Sequence, residues 1–406
     1  MLYPLKFYPV YKDYPWGGRN LEAFGKKLPD TGIVAESWEL SCHPNGQSVV
    51  RNGPFEGEKL EALVARFGRA LLGFSLPDKD LKKFPLLVKF IDAEANLSVQ
   101  VHPDDRYAYE NENGEYGKNE MWYILSARPG ARIIYDVAKG TDKQSMLSAI
   151  KAGNIESCLK KVEVHAGDVI NIPTGLIHAI GEGIILAEVQ QNSDTTYRLY
   201  DFGRKGRQLH IDKALDVIDF AGAGRKVVFR GLELSSSVPG SVSGDSVSGD
   251  SVSGFYRRTI LAATTYFCAE LIELNGCLGE KANGNKFKIF TCIKGEGQIT
   301  YFEDKSKPKF VINTDDIDVD ICNGNDTDND NYRGSTKKYD KVDFSLGETV
   351  LLPASLGEFS LEGDFSVFVS YVPDLYADVL EPLRQSGYND LQISENVGGM
   401  TGIFAL

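Results

Sequence analysis

The segment Gly-Asp-Val-Ile-Asn-Ile-Pro-Thr-Gly-Leu-Ile-His, residues 167–178, contains a Gly, a Pro, a second Gly and a His at fixed spacing. Its Gly-Asp pair favours a turn into a short apolar strand, and Pro173 and Gly175 favour a second tight turn. The next strand then begins at His178. Because side chains alternate along a strand, we expect His178 to point into the interior of a β-structure.

Two pairs of polar residues precede this segment, Gln100 with His102 and Lys118 with Glu120. On a strand, residues two apart face the same way, so each pair is expected to point into one interior. Gln100, His102, Glu120 and His178 would offer nitrogen and oxygen ligands that suit zinc, and manganese or iron(II) less well. One carboxylate and one neutral amide would leave positions open to water or substrate, as in a catalytic site. Each histidine alone would more often be a buried core residue, and the combination of the motif with the paired spacing favours a metal site.

The strand after His178 leads into a polar stretch that begins at Glu188 and includes Arg198. A fixed guanidinium at the mouth of a β-structure can hold a phosphate group or stabilise a developing enediolate. A single arginine in a loop is more often a plain surface charge. The position of Arg198 directly after the His178 strand favours the functional interpretation.

Short β-rich runs separated by turn residues follow one another from Pro85 onward, which is typical of a β-barrel or sandwich. Helical spacing of apolar residues predicts helical insertions at about 56–73, 141–161 and 210–220. A second β-rich region spans about 255–372. No His occurs after residue 210, so a histidine-based site is confined to the first half of the chain.

Two stretches of low complexity interrupt this pattern. Residues 235–254 repeat Ser-Val-Ser-Gly-Asp, a composition that cannot build a core, and are predicted to be a flexible linker between domains at 1–234 and 255–406. Residues 313–332 contain seven Asp and no Lys or Arg. Their alternating Asp residues resemble a calcium loop, but Lys337 stands where the bidentate Glu belongs, which favours a solvated acidic loop.

Several segments resemble the type I phosphomannose isomerases, in particular their compact bacterial branch. They are residues 100–105 (QVHPDD), 117–123 (GKNEMWY), 173–178 (PTGLIH) and 192–198 (NSDTTYR), and residues 16–17 and 36–44 resemble the N-terminal segment of that family. The resemblance is strong over about 1–220 and covers 255–372 only as a second, metal-free cupin. It implies a mainly β fold of two cupin-type (jelly-roll) β-barrels with a small helical insertion.

The same resemblance implies a zinc-dependent aldose–ketose isomerase that interconverts mannose 6-phosphate and fructose 6-phosphate through a cis-enediol. One zinc per chain would be held by Gln100, His102, Glu120 and His178. Lys118 and Arg198 would face the substrate and act in catalysis, and Ser98 and Trp16 would contact the sugar phosphate.

The general base stays open. Lys118 could act in its neutral form or bind phosphate instead, and Glu188 or hydroxide held by the metal is a weaker candidate. The alternatives to the whole assignment are a different metal-dependent cupin, either another sugar isomerase or an iron oxygenase, and a non-catalytic sugar-binding cupin.

The 406 residues carry a net charge of −13, which argues against nucleic acid as a partner. Nine of the negative charges are Asp residues in the linker and the acidic loop, so the rest of the chain stands at about −4. No apolar run reaches the length of a membrane span. Six scattered cysteines and an N-terminus without a signal-peptide core favour free thiols in the cytoplasm. We expect a monomer or a homodimer.

Overall fold

The computed structural model describes residues 1–222, 225–235, 252–302 and 339–401. Within them the chain is mainly β, and its strands pair antiparallel in nine-, five-, seven- and two-stranded sheets. Among the helices of these ranges, none combines the length and the apolar character that crossing a membrane requires.

The strands, in chain order, are β1 (Leu5–Tyr8), β2 (Val10–Lys12), β3 (Glu36–Leu40), β4 (Cys42–His43), β5 (Gly46–Gln47), β6 (Val49–Val50), β7 (Leu86–Ala93), β8 (Val99–Val101), β9 (Glu120–Ala127), β10 (Arg132–Val137), β11 (Leu159–Glu163), β12 (Val169–Ile172), β13 (His178–Ala179), β14 (Ile184–Gln191), β15 (Tyr197–Tyr200), β16 (Val228–Phe229), β17 (Leu232–Glu233), β18 (Val252–Ala263), β19 (Cys268–Ala282), β20 (Lys288–Phe302), β21 (Tyr339–Ser345), β22 (Thr349–Leu352) and β23 (Gly357–Tyr371).

The α-helices are α1 (Leu60–Phe67), α2 (Arg69–Leu72), α3 (Asp78–Lys82), α4 (Asp105–Asn111), α5 (Lys143–Lys151), α6 (Ile211–Val217), α7 (Glu381–Gln385) and α8 (Asp390–Asn396). Short 3₁₀ turns occur at Asn20–Phe24, Gly53–Phe55, Ile155–Cys158 and Phe220–Gly222, and a π-helical turn over Tyr376–Leu380 leads into α7.

Two sheets of the first half face each other across the site described below. The seven-stranded sheet has the order β16-β12-β9-β14-β7-β3-β2, and the five-stranded sheet has the order β11-β10-β13-β8-β15. The inner strand β7, Leu-Leu-Val-Lys-Phe-Ile-Asp-Ala, is buried along its whole length. Such a strand is expected to be apolar on both faces, so its buried Lys89 needs a charged partner inside the protein.

The nine-stranded sheet joins the two ends of the chain. Its order is β17-β18-β19-β23-β20-β22-β1-β6, and β21 also pairs with β20. The N-terminal strand β1 therefore lies between β22 of the second half and β6 of the first, with Leu5 opposite Leu351 and Phe7 opposite Val50. The largest hydrophobic cluster accordingly contains side chains from both halves of the chain.

The ranges predicted to be helical contain shorter helices. Residues 56–73 hold α1 and α2, which are separated at Gly68, a residue with a positive φ of 44°. Residues 141–161 hold α5 and a 3₁₀ turn, but 159–161 belong to β11 because they pair with β10. Residues 210–220 hold α6, which packs with α5 on an apolar face of the five-stranded sheet.

Part of the predicted linker at 235–254, namely 236–251, and the whole acidic loop at 313–332 lie outside the described residues, whereas 252–254 begin β18. The five cysteines that the structure describes are free thiols.

Candidate active site

Three potential metal ligands meet between the five- and seven-stranded sheets. His178 lies in β13 and His102 directly follows β8, whereas Glu120 begins β9 of the opposite sheet. The ligand atoms of the three residues lie within 4.8 Å of one another, and all three side chains are buried. Oε1 of Glu120 is 3.3 Å from Nε2 of His178, and Oε2 is 3.5 Å from Nε2 of His102. We call these residues the His–Glu–His triad.

Backbone carbonyls orient both imidazole rings. Nδ1 of His102 lies 2.9 Å from the carbonyl oxygen of Thr195, and Nδ1 of His178 lies 2.9 Å from that of Leu176. Because a carbonyl oxygen only accepts, each Nδ1 carries the proton and each Nε2 turns a free lone pair toward the triad. Burial lowers the pKa of His178 to about 3 and lowers the pKa of His102 as well. Both rings are therefore neutral at pH 7, the form that binds a metal.

A line of hydrogen bonds runs from the triad to Arg198. Nε2 of Gln100 is 3.4 Å from Nε2 of His178, and Oε1 of Gln100 accepts a 3.2 Å hydrogen bond from the Ser98 hydroxyl. That hydroxyl accepts a 3.1 Å bond from Nε of Arg198, and Nη1 of Arg198 donates a 2.8 Å bond to the carbonyl of Gln208. The register aligns Arg198, Gln100 and His178 in one row. The amide nitrogen of Gln100 faces the triad in this structure, so the side-chain amide must rotate by half a turn before its oxygen can bind a metal.

Lys118 is the charged group nearest to the triad. Its ammonium nitrogen is 3.1 Å from Nε2 of His102 and 2.5 Å from Oε2 of Glu120, and the residue is 5% exposed. Burial, followed by the charge of Glu188, raises the pKa of Glu120. A buried carboxylate with two converging imidazole lone pairs is most stable beside positive charge. The donor set therefore fits a divalent cation, with Lys118 at its edge.

A buried cluster behind the triad was not predicted. Nζ of Lys89 lies 3.2 Å from Oε1 of Glu188 and 3.6 Å from Oε2 of Glu36, on the two strands that flank β7. Burial would lower the pKa of Lys89, but the charges of these two glutamates raise it. Trp122 donates a 2.9 Å hydrogen bond to Glu188, and its ring meets that of His178 at 5.5 Å. The one lysine within the apolar run of β7 was the sequence signal that could have indicated this buried charge cluster.

Two arginines beyond Arg198 were also missed. Oδ1 of the buried Asp201 accepts hydrogen bonds from Arg204 and Arg207, whose side chains are each 23% exposed. Both arginines interact electrostatically with Arg198. The polar stretch after β14 therefore gathers three guanidinium groups, which the sequence showed only as scattered residues.

Trp16, which was expected to contact the sugar phosphate, is buried in the structure. It is 2% exposed and belongs to the same hydrophobic cluster as Trp122. Its ring stacks on that of Tyr14 at 5.7 Å. Tyr14 is 37% exposed, and burial followed by the charge of Glu36 raises the pKa of its phenol. Trp16 thus supports Tyr14, which is the more accessible of the two rings.

Comparison with known proteins connects this geometry to a family. The family model for the catalytic domain of type I phosphomannose isomerase matches residues 4–123. Over 374 residues the chain is 35% identical to mannose-6-phosphate isomerase ManA of Bacillus subtilis, a match that covers 91% of this chain and 99% of that relative. Over 209 residues it is 47% identical to the mannose-6-phosphate isomerase of Streptococcus mutans, with 50% of this chain and 64% of the relative covered.

A solved structure gives the same result at the level of the fold. The crystal structure of mannose 6-phosphate isomerase from Bacillus subtilis superposes with a TM-score of 0.69 at 29% sequence identity. The superposition covers 91% of this chain and 99% of the other. The similarity therefore extends through both halves of the chain.

Proposed function

Because the chain belongs to the type I phosphomannose isomerase family, we propose that it is an enzyme that interconverts mannose 6-phosphate and fructose 6-phosphate. The observation that carries this proposal is the buried His–Glu–His triad, in contact with Lys118 and linked by hydrogen bonds to Arg198. Such a site combines metal ligands, a cation within reach of the ligands and a fixed guanidinium, which are groups that can stabilise the oxyanion formed in an aldose–ketose conversion.

We propose that the resident metal is zinc, with one ion per chain. His102, Glu120 and His178 would hold it, and Gln100 would join them once its amide turns over. Nitrogen and carboxylate donors suit this ion. When bound, zinc supplies positive charge that stabilises oxygen anions near the substrate carbonyl.

The residues of the chain account for the proton transfer. The reaction moves a proton between C1 and C2 of the sugar through a cis-enediolate. Lys118, at the edge of the triad, is our candidate for the group that, in its neutral amine form, takes this proton and then returns it, and the buried Glu188 is the alternative. Arg198 is held by Ser98 and by the carbonyl of Gln208, so its guanidinium is preorganised to stabilise the developing oxyanion.

The phosphate group would be recognised by positive charge near the site. Arg204 and Arg207 share the buried Asp201 and lie within electrostatic range of Arg198. Guanidinium groups bind phosphate through charge-assisted hydrogen bonds. This arrangement supports a phosphorylated hexose rather than a free sugar as the substrate, with Ser98, Lys118, Arg198 and the Tyr14–Trp16 pair as its further contacts.

We extend the proposal to the architecture and setting of the protein. Ligands that come from two facing sheets support a cupin-type (jelly-roll) barrel over 1–234, and the long antiparallel strands from residue 252 onward support a second, metal-free one over 255–406. The linker expected over 235–254 would end by residue 251, because 252–254 belong to β18. A cytoplasmic monomer or homodimer is consistent with five free thiols among the described residues.

A coupled assay tests the proposed reaction. Purified protein is supplied with mannose 6-phosphate, and the formation of fructose 6-phosphate is followed before and after treatment with a chelator and after zinc is restored. We expect activity that the chelator removes and zinc returns. Metal analysis of the untreated protein should give one zinc per chain. An inactive zinc-loaded protein would contradict the isomerase proposal, and one iron per chain would favour an oxygenase.

A further inference from the structure

The segment that carries Lys118 has no regular secondary structure of its own, since residues 112–119, which connect α4 to β9, form a turn followed by an irregular stretch. It is nevertheless held at several points. The backbone N–H of Lys118 donates to the carbonyl of Pro103 at 3.2 Å, and the N–H of Asn119 donates to the side chain of Gln191 at 3.0 Å. The position of the Lys118 ammonium therefore depends on what anchors these neighbours.

Asp105, the first residue of α4, connects these anchors. Its Oδ1 atom accepts hydrogen bonds from the backbone N–H of Gly117 and from Nε2 of Gln191, both at 2.8 Å. A side chain at Gly117 would collide with the backbone of Asp104 and Asp105, since its Cβ would lie 2.6 Å from two of their atoms. Glycine thus lets the segment before Lys118 lie directly on the start of α4.

The second half of the chain also reaches this carboxylate. Tyr266 lies in the turn between β18 and β19, and its phenol lies close enough to the Asp105 carboxylate for the two groups to interact electrostatically. Burial, followed by the charge of Asp105, raises the pKa of Tyr266 to about 12, so the phenol remains a hydrogen-bond donor at neutral pH. Asp105 therefore accepts a hydrogen bond from the segment before Lys118 and also lies close to a side chain of the second half.

We infer that Asp105, held from the second half of the chain by Tyr266, is a positioning residue that places Lys118 for the isomerase reaction. This inference rests on the proposed function. Lys118 is buried and contacts two members of the triad at 3.1 and 2.5 Å, so its ammonium has little space in which to move. A misplacement of about 1 Å at a reacting group can cost roughly 100-fold in rate. The second half thereby contributes to a site to which none of its described residues supplies a ligand.

Three variants test the inference on the full-length, zinc-loaded protein. We expect Tyr266→Phe, which removes one hydroxyl group, to lower kcat about threefold to tenfold with KM unchanged. Asp105→Ala should lower kcat by roughly 10-fold to 100-fold. Asp105→Asn keeps an oxygen that accepts from Gly117 and Gln191, so it should restore most of the loss. Zinc content should stay at one per chain in each variant.

A double-mutant cycle separates positioning from general loosening of the fold. Tyr266→Phe is combined with Lys118→Met, and we expect the pair to be no slower than Lys118→Met alone, because Tyr266 acts through Lys118. Independent, multiplicative losses would overturn the inference, as would a Tyr266→Phe variant with full kcat.

Two controls accompany the cycle. Tyr388→Phe removes a hydroxyl from another tyrosine packed on the same core and should leave kcat unchanged. Asp104→Ala removes the N-cap of α4, so it should lower the melting temperature while leaving kcat nearly unchanged. If the unmodified protein showed no isomerase activity, the proposed function would fail, whereas an active protein with unaffected variants would contradict only the positioning role.

Discussion

Arg198 and Lys118 differ in how the structure restrains them. Arg198 is fixed by two hydrogen bonds at the outer end of a register row that continues through Gln100 to His178. Lys118 is held among the triad atoms themselves. Removing the first should therefore cost transition-state stabilisation without disturbing the triad, whereas removing the second changes the environment of Glu120 as well.

For Arg198→Ala, we expect zinc content and melting temperature to stay at their normal values while kcat falls by roughly 10²–10³, as for the loss of an oxyanion donor. Steady-state kinetics and metal analysis of the purified variant check this. Arg106→Ala, which changes a highly exposed arginine, is the matched control. Near-normal turnover in Arg198→Ala would remove Arg198 from the mechanism.

For Lys118→Met, we expect a large fall in kcat with little change in KM, because the ammonium contacts triad atoms rather than the three-arginine region. The two kinetic constants measured at saturating zinc distinguish the roles. A large rise in KM at an unchanged kcat would instead identify Lys118 as a phosphate ligand.

The sequence predicted the residues of the triad but not their surroundings. Gln100 with His102 and Lys118 with Glu120 are pairs two residues apart, the spacing that strand periodicity places on one face, although Lys118 itself precedes β9 and His102 follows β8. Asp105 and Tyr266, in contrast, are 161 residues apart in the sequence and lie close together only because the two halves of the chain pack against each other. Contacts of that kind depend on strand register and packing, which no local pattern encodes.

At the level of elements, the register of β7 with its neighbours decides where charge is buried. Lys89 lies opposite Trp38 of β3 on one side and opposite Glu188 of β14 on the other. A shift of one residue would turn Lys89 to the other face of the sheet. The buried cluster of Lys89, Glu36 and Glu188 thus favours a single register of the three strands.

Replacement of Lys89 by Met should destabilise the protein strongly, because it leaves Glu36 and Glu188 buried without their cation. We expect a loss of about 3–5 kcal/mol in the free energy of unfolding, measured as a lower urea midpoint. Lys89→Arg retains the charge and serves as the comparison. An unchanged midpoint for Lys89→Met would show that the cluster contributes nothing to stability.

The pairing of β1 with β22 is supported by an ionic cluster. Glu348, just before β22, binds Lys6 at 2.8 Å and also binds Arg51. Burial alone would raise the pKa of Glu348, but hydrogen bonds from these two cations lower it overall. A carboxyl whose pKa is lower in the folded state stabilises the fold above its unfolded pKa, and this contribution disappears as the pH falls through the folded pKa.

Glu348→Gln should therefore lower the free energy of unfolding by about 1 kcal/mol at pH 7, and the difference from the unmodified protein should shrink below about pH 4.3, the ordinary pKa of a glutamate. Urea unfolding at pH 7 and at about pH 3.5 measures this. Glu362→Gln, on an exposed position of β23, is the control. A difference that grew on acidification would contradict the assignment.

At the level of the whole molecule, the low-complexity segment at 235–254 does not divide the hydrophobic core, because one core cluster contains residues from both sides of it. The β-rich runs predicted a mainly β chain and most of its strands, because such runs are local patterns. The insertion of β1 between β6 and β22 was not predictable in this way, since Leu-Lys-Phe-Tyr fits many antiparallel partners. The largest core cluster shows the result, with Leu5 and Leu351 both fully buried in it.

A chain that ends at residue 234 should therefore fail to fold as a stable unit, although it contains the whole triad. It would expose one edge of β1 and the part of the core that the second half covers. We expect aggregation or a broad urea transition, measured beside the full-length protein. Adding 252–401 as a separate chain should partly restore solubility, and a soluble, cooperative 1–234 fragment would contradict this expectation.

The nine-stranded sheet that both halves share can be completed only late in synthesis on the ribosome. Lys6 and its partner Glu348 are 342 positions apart, and at about 5–20 residues per second roughly 17–70 s pass before the second emerges. Throughout that interval one edge of β1 has no neighbour, and open strand edges recruit other chains. A lysine on such an edge discourages that recruitment. Lys6 thus first discourages the unpaired edge of β1 from binding other chains. It pairs with Glu348 only after β22 has been synthesised and the nine-stranded sheet forms.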